Sequence, residues 1–509
     1  MRAVAPATEA LAFPYLGRGK TTKQMKILSP EHAARLRQFL ADSGYEEDNL
    51  REKLGLSELP SSRLRNLARL LDGTRENTCL NSLLRWFWIG VPVDSATAQA
   101  SVPPWFTDLG LDCGLLREDA GKIVPEAMLV PTGGLAVASD HTRHIEAGNA
   151  QCVLWPNPTS RLLSRFMVPR PSSLTLDLGT GNGVLALLAA GHSEHVVATD
   201  LNARATDFAA FNARLNGIEN IEVLTGDTFE PVRSRQFDLI LSNPPFFITP
   251  ATRYLFCDNP QELDQMCRSL VRQAPSHLND GGYFQMLCEW AQLRGQPWEE
   301  RVSEWFDGIG CDAWVMKGHS QDPGEYAQER IRETNPSPER DAELYDSYMS
   351  YYREKGVEAI HDGMVAIHKR PGKNWVLLEE VSQTPKESFG QSVIDRFEAR
   401  NFLQEHASDD QLLQAKPKLS PDARLEEQLR PSDGKWQATS LNLRLGKGLP
   451  YSTTVQPLVV EFLSGCDGTR TMGERVAALA TKVDAPLEQV QKECAAIARV
   501  LIDRGFLRF

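Results

Sequence analysis

The sequence predicts an α/β fold: a parallel sheet covered by helices on both faces over residues 150 to 381, flanked by smaller, mainly helical domains. Three observations lead to it. Between about 150 and 370, short apolar runs alternate with helical stretches, as parallel strands joined by crossover helices require. From 29 to 93 the apolar residues recur with helical spacing, and after a polar stretch the segment 451 to 509 returns to it. A chain of 509 residues is also too long for one hydrophobic core and should divide into about three domains.

In chain order, residues 1 to 25 are expected to be a flexible lead-in, and 26 to 149 an amino-terminal helical, winged-helix-like domain. In "SPEHAARLRQFLADSGY" (29 to 45), Ser29, Pro30 and Glu31 form a helix-opening triplet. Helical spacing continues to "LLRWFWIGVPV" (83 to 93). From 105 to 140, Gly-punctuated alternating runs such as "KIVPEAMLVP" suggest a helix followed by a wing. A wing can read nucleic acid, but packing on the neighbouring domain is the simpler expectation.

The strands of the sheet are expected at "SLTLDLG" (173 to 179), "HVVATD" (195 to 200), "IEVLTGD" (221 to 227), "FDLILSN" (237 to 243), "GYFQMLCEW" (282 to 290), "CDAWVMKG" (311 to 318) and "GMVAIHKR" (363 to 370). Helices fill the gaps from 183 and over 203 to 217. A helical insertion at 319 to 360 carries Tyr345, Tyr348 and Tyr352 on one face, read as a packing stripe before an aromatic platform for substrate. The Pro/Ser/Lys/Glu-rich stretch 382 to 450 reads as a linker with short helices. Residues 451 to 509 read as a small carboxyl-terminal domain of helices ending in a strand, winged-helix-like, with an interaction or stabilising role.

Apolar residues make up 41% and charged residues 24%, the balance of a globular protein. The net charge of -12, from 67 acidic against 55 basic side chains, disfavours coating nucleic acid by bulk charge, although a local basic groove is compatible with it. Nine scattered cysteines, none spaced C-x-x-C, suggest free thiols, a cytoplasmic location and no zinc site. His141/His144 and His192/His195 lack companion ligands, so no metal is expected. No apolar run is long enough to span a membrane, and the start of the chain has no apolar signal core.

The chemistry-bearing residues sit at successive strand ends. "LDLGTGNG" (176 to 183) follows a buried strand and opens a helix, with Gly179, Gly181 and Gly183 permitting a tight turn and close approach of a ligand to the backbone. The spacing is not the dinucleotide fingerprint, since Val184 stands where the third Gly belongs, and no Lys-Ser/Thr follows to make a phosphate-cradling loop. Asp200 ends the second strand, placed to accept both ribose hydroxyls of a nucleoside. Asp227 ends the third and is suited to accept from an adenine amino group. Singly, each Asp is equally well a loop or helix-cap residue. Together the three ends describe a site for an adenosine without phosphates.

That arrangement, over roughly 150 to 370, resembles the class I S-adenosylmethionine-dependent methyltransferases, which implies a Rossmann-like seven-stranded core and S-adenosylmethionine as cofactor. The resemblance implies cofactor-binding roles for Asp177, Gly179, Thr180, Gly181, Gly183, Asp200, Leu201, Asp227, Thr228 and Asn243. In that family the fourth strand ends in the catalytic loop, and here the position is filled by Asn243, Pro244, Pro245 and Phe246. The tetrapeptide resembles the [N/D]-P-P-[Y/F] signature of enzymes that methylate planar nitrogens, and "NPPFFITP" is closest to the glutamine methyltransferases of release factors.

Such a nitrogen is a poor nucleophile because its lone pair is delocalised. If the Asn243 side-chain oxygen and the Pro244 carbonyl accept its two N–H bonds, the lone pair turns toward the methyl donor and the growing positive charge is stabilised. Phe246 is expected to stack on the planar group. "WPNPTSRLLSRF" (155 to 166) is expected to cover cofactor or target, with Arg161 and Arg165 as surface charges. The first expectation is therefore N-methylation of a protein glutamine, with an adenine or guanine of RNA or DNA as the alternative. A cofactor-sensing scaffold and an enzyme of small natural products are rivals from other classes.

Overall fold

The computed structural model describes residues 25–55, 67–251, 253–259, 261–335, 338–381, 383, 385–432 and 434–509. The expected lead-in lies almost wholly outside them. The first helix, Pro30–Asp42, begins as its sequence requires: Ser29 accepts from the His32 N–H and Pro30 occupies the first turn, where its missing N–H costs nothing. Helices at Glu47–Leu54, Leu67–Gly73 and Cys79–Leu84 follow, the last running into a π-helical turn, Arg85–Ile89. A short strand (Val93–Asp94), two helices (Ser95–Ser101, Pro104–Cys113) and a hairpin (Leu116–Asp119, Lys122–Pro125) then form a helix-and-wing unit with a three-stranded sheet.

A second hairpin, Ala127–Thr132 with Leu135–Asp140, carries this domain onto the next. Asn212 and Asn216, from a helix of the central domain, each give and take hydrogen bonds with the backbone of Ala138 and Ala136 at 2.8–2.9 Å. Phe208, Phe211 and Leu215 of that helix are fully buried in the amino-terminal core. This second hairpin therefore packs on the neighbouring domain.

In the central domain the helix α1 (Pro158–Phe166) precedes β1 (Ser172–Leu178), α2 (Val184–Ala189), β2 (Ser193–Asp200), α3 (Ala203–Asn216), β3 (Ile221–Thr225), β4 (Phe237–Ser242), β5 (Leu278–Leu293) and β6 (Asp312–Gln321). The insertion supplies α4 (Pro323–Thr334) and α5 (Asp341–Lys355), and β7 (Val357–His368) and β8 (Val376–Glu380) complete the sheet. The strand order is β8-β6-β7-β5-β4-β1-β2-β3. All neighbours are parallel except β7, which is antiparallel to β5 and β6. Order reverses between β1 and β4, and a crevice opens beyond the carboxyl ends at such a switch point.

The seven expected strands are present, and β8 makes an eighth. It was hard to read because it is an edge strand: Val376 is 41% exposed and Glu379 and Glu380 follow, so no clean apolar face marks it. Likewise, 382 to 450 is more than a linker with short helices. It contains a sixteen-residue helix, α6 (Gly390–Glu405), a shorter one at Asp409–Gln414, and a long hairpin, Ala423–Ser432 with Lys435–Leu445. Phe389, Val393, Ile394 and Phe397 bury one side of α6 in the core of the central domain. The hairpin is exposed over most of its length, which is why its composition reads as loop. Helices at Pro457–Ser464, Met472–Val483 and Leu487–Asp503 and a short strand at Leu507–Arg508 close the chain.

Candidate active site

The crevice is a cavity of about 430 Å³ lined from five directions: the β1 turn, the ends of β2 and β3, the loop after β4, the helix Gln265–Gln273 that follows that loop, and the segment 152–157 that precedes α1. Gly179 and Gly181 have φ of 77° and 55°, and a Cβ on either would meet no protein atom within 4 Å. Both line the cavity, so a ligand can lie directly against the backbone. Gly183 serves packing instead: its φ is 85°, and a Cβ there would stand 3.0 Å from Ala209 Cα on α3. It does not line the cavity.

Asp177 lies beneath the turn, fully buried, rather than in the cavity wall. Its Oδ2 accepts from Thr180 Oγ1 at 2.6 Å and from the Ala186 N–H at 3.0 Å, tying the turn to the start of α2. Burial pushes its carboxyl up to about 6, against the pull of those two donors. The structure thus gives Asp177 a turn-fixing place in the protein and brings the other turn residues to the surface above it.

Asp200 keeps part of its surface on the cavity. Its Oδ2 accepts from the Gly181 N–H at 2.9 Å and its Oδ1 from the Asn202 N–H at 2.8 Å. Each oxygen retains a further lone pair for hydroxyl donors. Burial raises its carboxyl above the ordinary range, and the two N–H donors act against that rise. Beside it Leu201 is 59% exposed, an apolar surface suited to the face of a flat ring. Asp227 and Thr228 line the far end, Thr228 at a φ of 44°, which a non-glycine residue rarely adopts.

The β4 strand ends at Ser242, whose hydroxyl caps the Leu178 carbonyl at 3.0 Å. Asn243, Pro244 and Pro245 then line the cavity. Asn243 Nδ2 donates to Thr159 Oγ1 at 3.1 Å, and Thr159 in turn donates to Asn157 Oδ1 at 2.8 Å. Asn157 caps α1 through a reciprocal capping box with Ser160. One N–H of the Asn243 amide is thereby engaged. Phe246 is placed differently from expectation: it is 8% exposed, packed edge-on to Phe247 at 5.4 Å in the apolar core, and does not line the cavity. Leu255 and Phe256, from the loop beyond, do.

The segment 151–157 forms a strap held at three points. Asn182 Nδ2 donates to the Leu154 carbonyl at 2.7 Å, Asn202 Nδ2 to the Gln151 carbonyl at 2.9 Å, and the Val153 N–H to Asp140 Oδ2 at 2.9 Å. Asp140 is itself buried and paired with Arg204. Sequence reasoning placed a cover at 155 to 166, which contains Trp155 and Thr159 without singling out either, and missed Cys152, Val153 and Leu154; the cap signal "NPTS" was the visible trace of Thr159. Arg161 and Arg165 do not line the cavity. Among the described residues no group of three or more His, Cys, Asp and Glu is arranged to hold a metal, and no helix is long and apolar enough to cross a membrane.

Glycine backbone for close approach, a carboxylate for vicinal hydroxyls, an apolar face beside it and no phosphate-binding loop fit the adenosine and amino-acid parts of S-adenosylmethionine. Residues 156–306 match the family described as Methyltransferase small domain. The central domain is an S-adenosylmethionine-dependent methyltransferase domain of Rossmann-like class I architecture.

The Ribosomal RNA small subunit methyltransferase C proteins of Salmonella typhi and Salmonella agona (strain SL483) are each 35% identical to it over 131 residues, 25% of this chain and 35% of the relative. The chain thus spans about a third of the length of the curated relatives it matches. Solved structures that align include a methyltransferase from Pyrococcus furiosus, 18% identical over 42% of this chain and 83% of that one, TM-score 0.26. Another is a methyltransferase from Thiobacillus denitrificans in complex with S-adenosyl-L-homocysteine, 16% identical over 45% and 98%, TM-score 0.27. Residues 395–509 match a family described as a domain of unknown function.

Proposed function

We propose that the protein transfers the methyl group of S-adenosylmethionine to an amino nitrogen on a purine base of RNA. The observation that carries the planar nitrogen is the Thr159–Asn243 contact, which engages one amide N–H of Asn243, a residue that lines the cavity together with Pro244. RNA as the carrier is supported by the relatives, whose name describes methylation of ribosomal RNA. Leu255 and Phe256 offer the apolar contact that a base turned into the cavity needs.

Gly179, Gly181, Asp200, Leu201, Asp227 and Thr228 hold the cofactor, which supplies an electrophilic sulfonium methyl when bound. Asn243 Oδ1 and the Pro244 carbonyl accept the two N–H bonds of the acceptor, direct its lone pair inward, and stabilise the charge that grows on nitrogen. Pro244 and Pro245 stiffen the loop, so these acceptors need little reorganisation. The surplus proton leaves to water afterwards, and no strong base is required.

A protein glutamine presents the same planar amide to the same two acceptors, and "NPPFFITP" favours it. One experiment separates the readings. Purified protein and its Asn243→Ala form are incubated with methyl-labelled S-adenosylmethionine and a cell extract, and the label in RNA and in protein is counted separately. Label in RNA that depends on Asn243 is expected. Label confined to protein would replace the RNA reading by the glutamine one, and none in either fraction would remove both.

A further inference from the structure

We propose that the two-helix insertion is the device that positions the catalytic loop, with Tyr326 and Tyr352 as positioning residues for methyl transfer; this rests on the methyltransferase reading of the same site. The two hydroxyls bracket Ile248, two residues beyond Phe246. The Ile248 N–H donates to Tyr326 Oη at 3.1 Å, and Tyr352 Oη donates to the Ile248 carbonyl at 2.7 Å. Both tyrosines are 1% exposed, so water cannot replace either bond.

The bracket is itself anchored. Tyr326 Oη donates a hydrogen bond to the buried carboxyl of Glu289 on β5. One turn further along α4, the Arg330 guanidinium lies 4.0 Å over the ring of Phe247. On the other edge of the loop, the Phe247 N–H donates to the Cys257 carbonyl at 2.9 Å, and the Asn259 N–H to the Phe247 carbonyl at 3.1 Å. Phe247 and Ile248 are thus held by the sheet, the insertion and the following loop together.

Pro244, Pro245 and the buried Phe246 separate this anchor from Asn243. Proline locks φ at two of these positions and Phe246 is packed in the core, so few dihedrals are left to absorb a displacement at Ile248 and it is passed back toward the acceptor pair. Misplacing reacting groups by a fraction of an ångström lowers turnover without touching cofactor contacts made elsewhere. The insertion lies outside the cavity wall, which is lined by other segments. Its tyrosines therefore act through the loop.

The test compares the full-length protein with Tyr326→Phe, Tyr352→Phe and the double variant, each keeping its ring packing and losing only hydroxyls. Tyr345→Phe is the control: this tyrosine shares the α5 helix but borders Gly324 rather than the loop. Turnover is measured with labelled S-adenosylmethionine on total cellular RNA and on extract protein, cofactor affinity by calorimetry, and amide exchange on the peptide 243–250. Each single variant is expected to lose about tenfold in kcat, with cofactor Kd within about twofold and faster exchange in that peptide.

Unchanged turnover in the double variant would overturn the proposal, as would a loss of cofactor affinity matching the loss of turnover. If the parent protein methylates neither fraction, the functional reading fails separately, and exchange decides alone. Undiminished protection of 243–250 in the double variant would then refute the bracket.

Discussion

Thr159 and Asn243, 84 residues apart in the chain, meet at 3.1 Å where the cap of α1 touches the end of β4. The contact fixes which way the Asn243 amide faces. Thr159→Val keeps the shape and removes the acceptor, so the amide is free to turn. Turnover is expected to fall roughly tenfold and Asn243→Ala to cost on the order of a hundredfold or more, both at near-constant cofactor affinity. Steady-state kinetics with calorimetry checks this, and a Thr159→Val enzyme with parental kcat would contradict it.

Asp200 should govern cofactor affinity rather than turnover, because its oxygens accept from the Gly181 and Asn202 N–H groups and face the cavity. Hydrogen bonds to a charged acceptor contribute about 1.5–3 kcal/mol. Asp200→Ala is therefore expected to raise the Kd for S-adenosylmethionine by about ten- to a hundredfold. Titration calorimetry showing an unaltered Kd would assign the ribose to another residue.

The glycines of one turn should fail in different ways. Gly183→Ala forces a Cβ to 3.0 Å from Ala209 Cα at a φ of 85°, whereas the Gly181→Ala Cβ meets nothing but the cavity. Each pays left-handed strain of roughly 1–2 kcal/mol. Gly183→Ala is expected to show the larger drop in Tm and Gly181→Ala the larger loss of cofactor affinity. The reverse ranking in melting and binding assays would reject the division of labour.

Glu289 sets a pH dependence of stability. Burial raises its carboxyl to about 8, with the Arg330 charge and the Tyr326 hydroxyl opposing the rise and Asp362 and Glu333 adding to it. Between the ordinary value near 4.5 and about 8 the folded protein holds a proton that the unfolded chain releases. Stability from this site is therefore full below that window and is lost as pH rises through it, by at most ~1.4 kcal/mol per pH unit. Glu289→Gln should abolish that slope. Denaturant melts of both proteins from pH 5 to pH 8 would refute the assignment if their stability difference stayed constant.

Arg396 joins the carboxyl-terminal domain to the core. It is 5% exposed, and its Nη2 lies 3.0 Å from Glu379 on β8 and 3.2 Å from Asp503. Arg396→Ala leaves Asp503 with Arg400 alone and Glu379 with only its neutral donors Trp314 and Tyr451, and removes a guanidinium from beside Trp314. A loss of roughly 2–3 kcal/mol is expected, with early proteolytic release of the last hundred or so residues. A protease pattern and melting curve identical to the parent would show that the domains are held by other contacts.

What could be read in the sequence was local. Gly179, Gly181, Asp200, Asp227 and Asn243 each stand at a strand end, and a parallel sheet brings its strand ends to one edge whatever the details of packing. The same argument misplaced Asp177 and Phe246, because sequence spacing does not say whether a side chain beside a turn points up into a cavity or down into a core. The eighth strand and the helix Gly390–Glu405 escaped because their burial is one-sided and their polar residues dilute the periodicity.

By itself, then, the sequence determined the α/β class and placed the glycines, Asp200, Asp227 and Asn243 at successive strand ends, since each depends on contiguous residues and the chirality of strand-helix connections. Tertiary structure alone decided what orients them. Thr159 reaches Asn243, and Tyr326 and Tyr352 reach Ile248, across 78 to 104 residues of chain. Contacts at that separation are set by how whole elements dock, which no local pattern encodes.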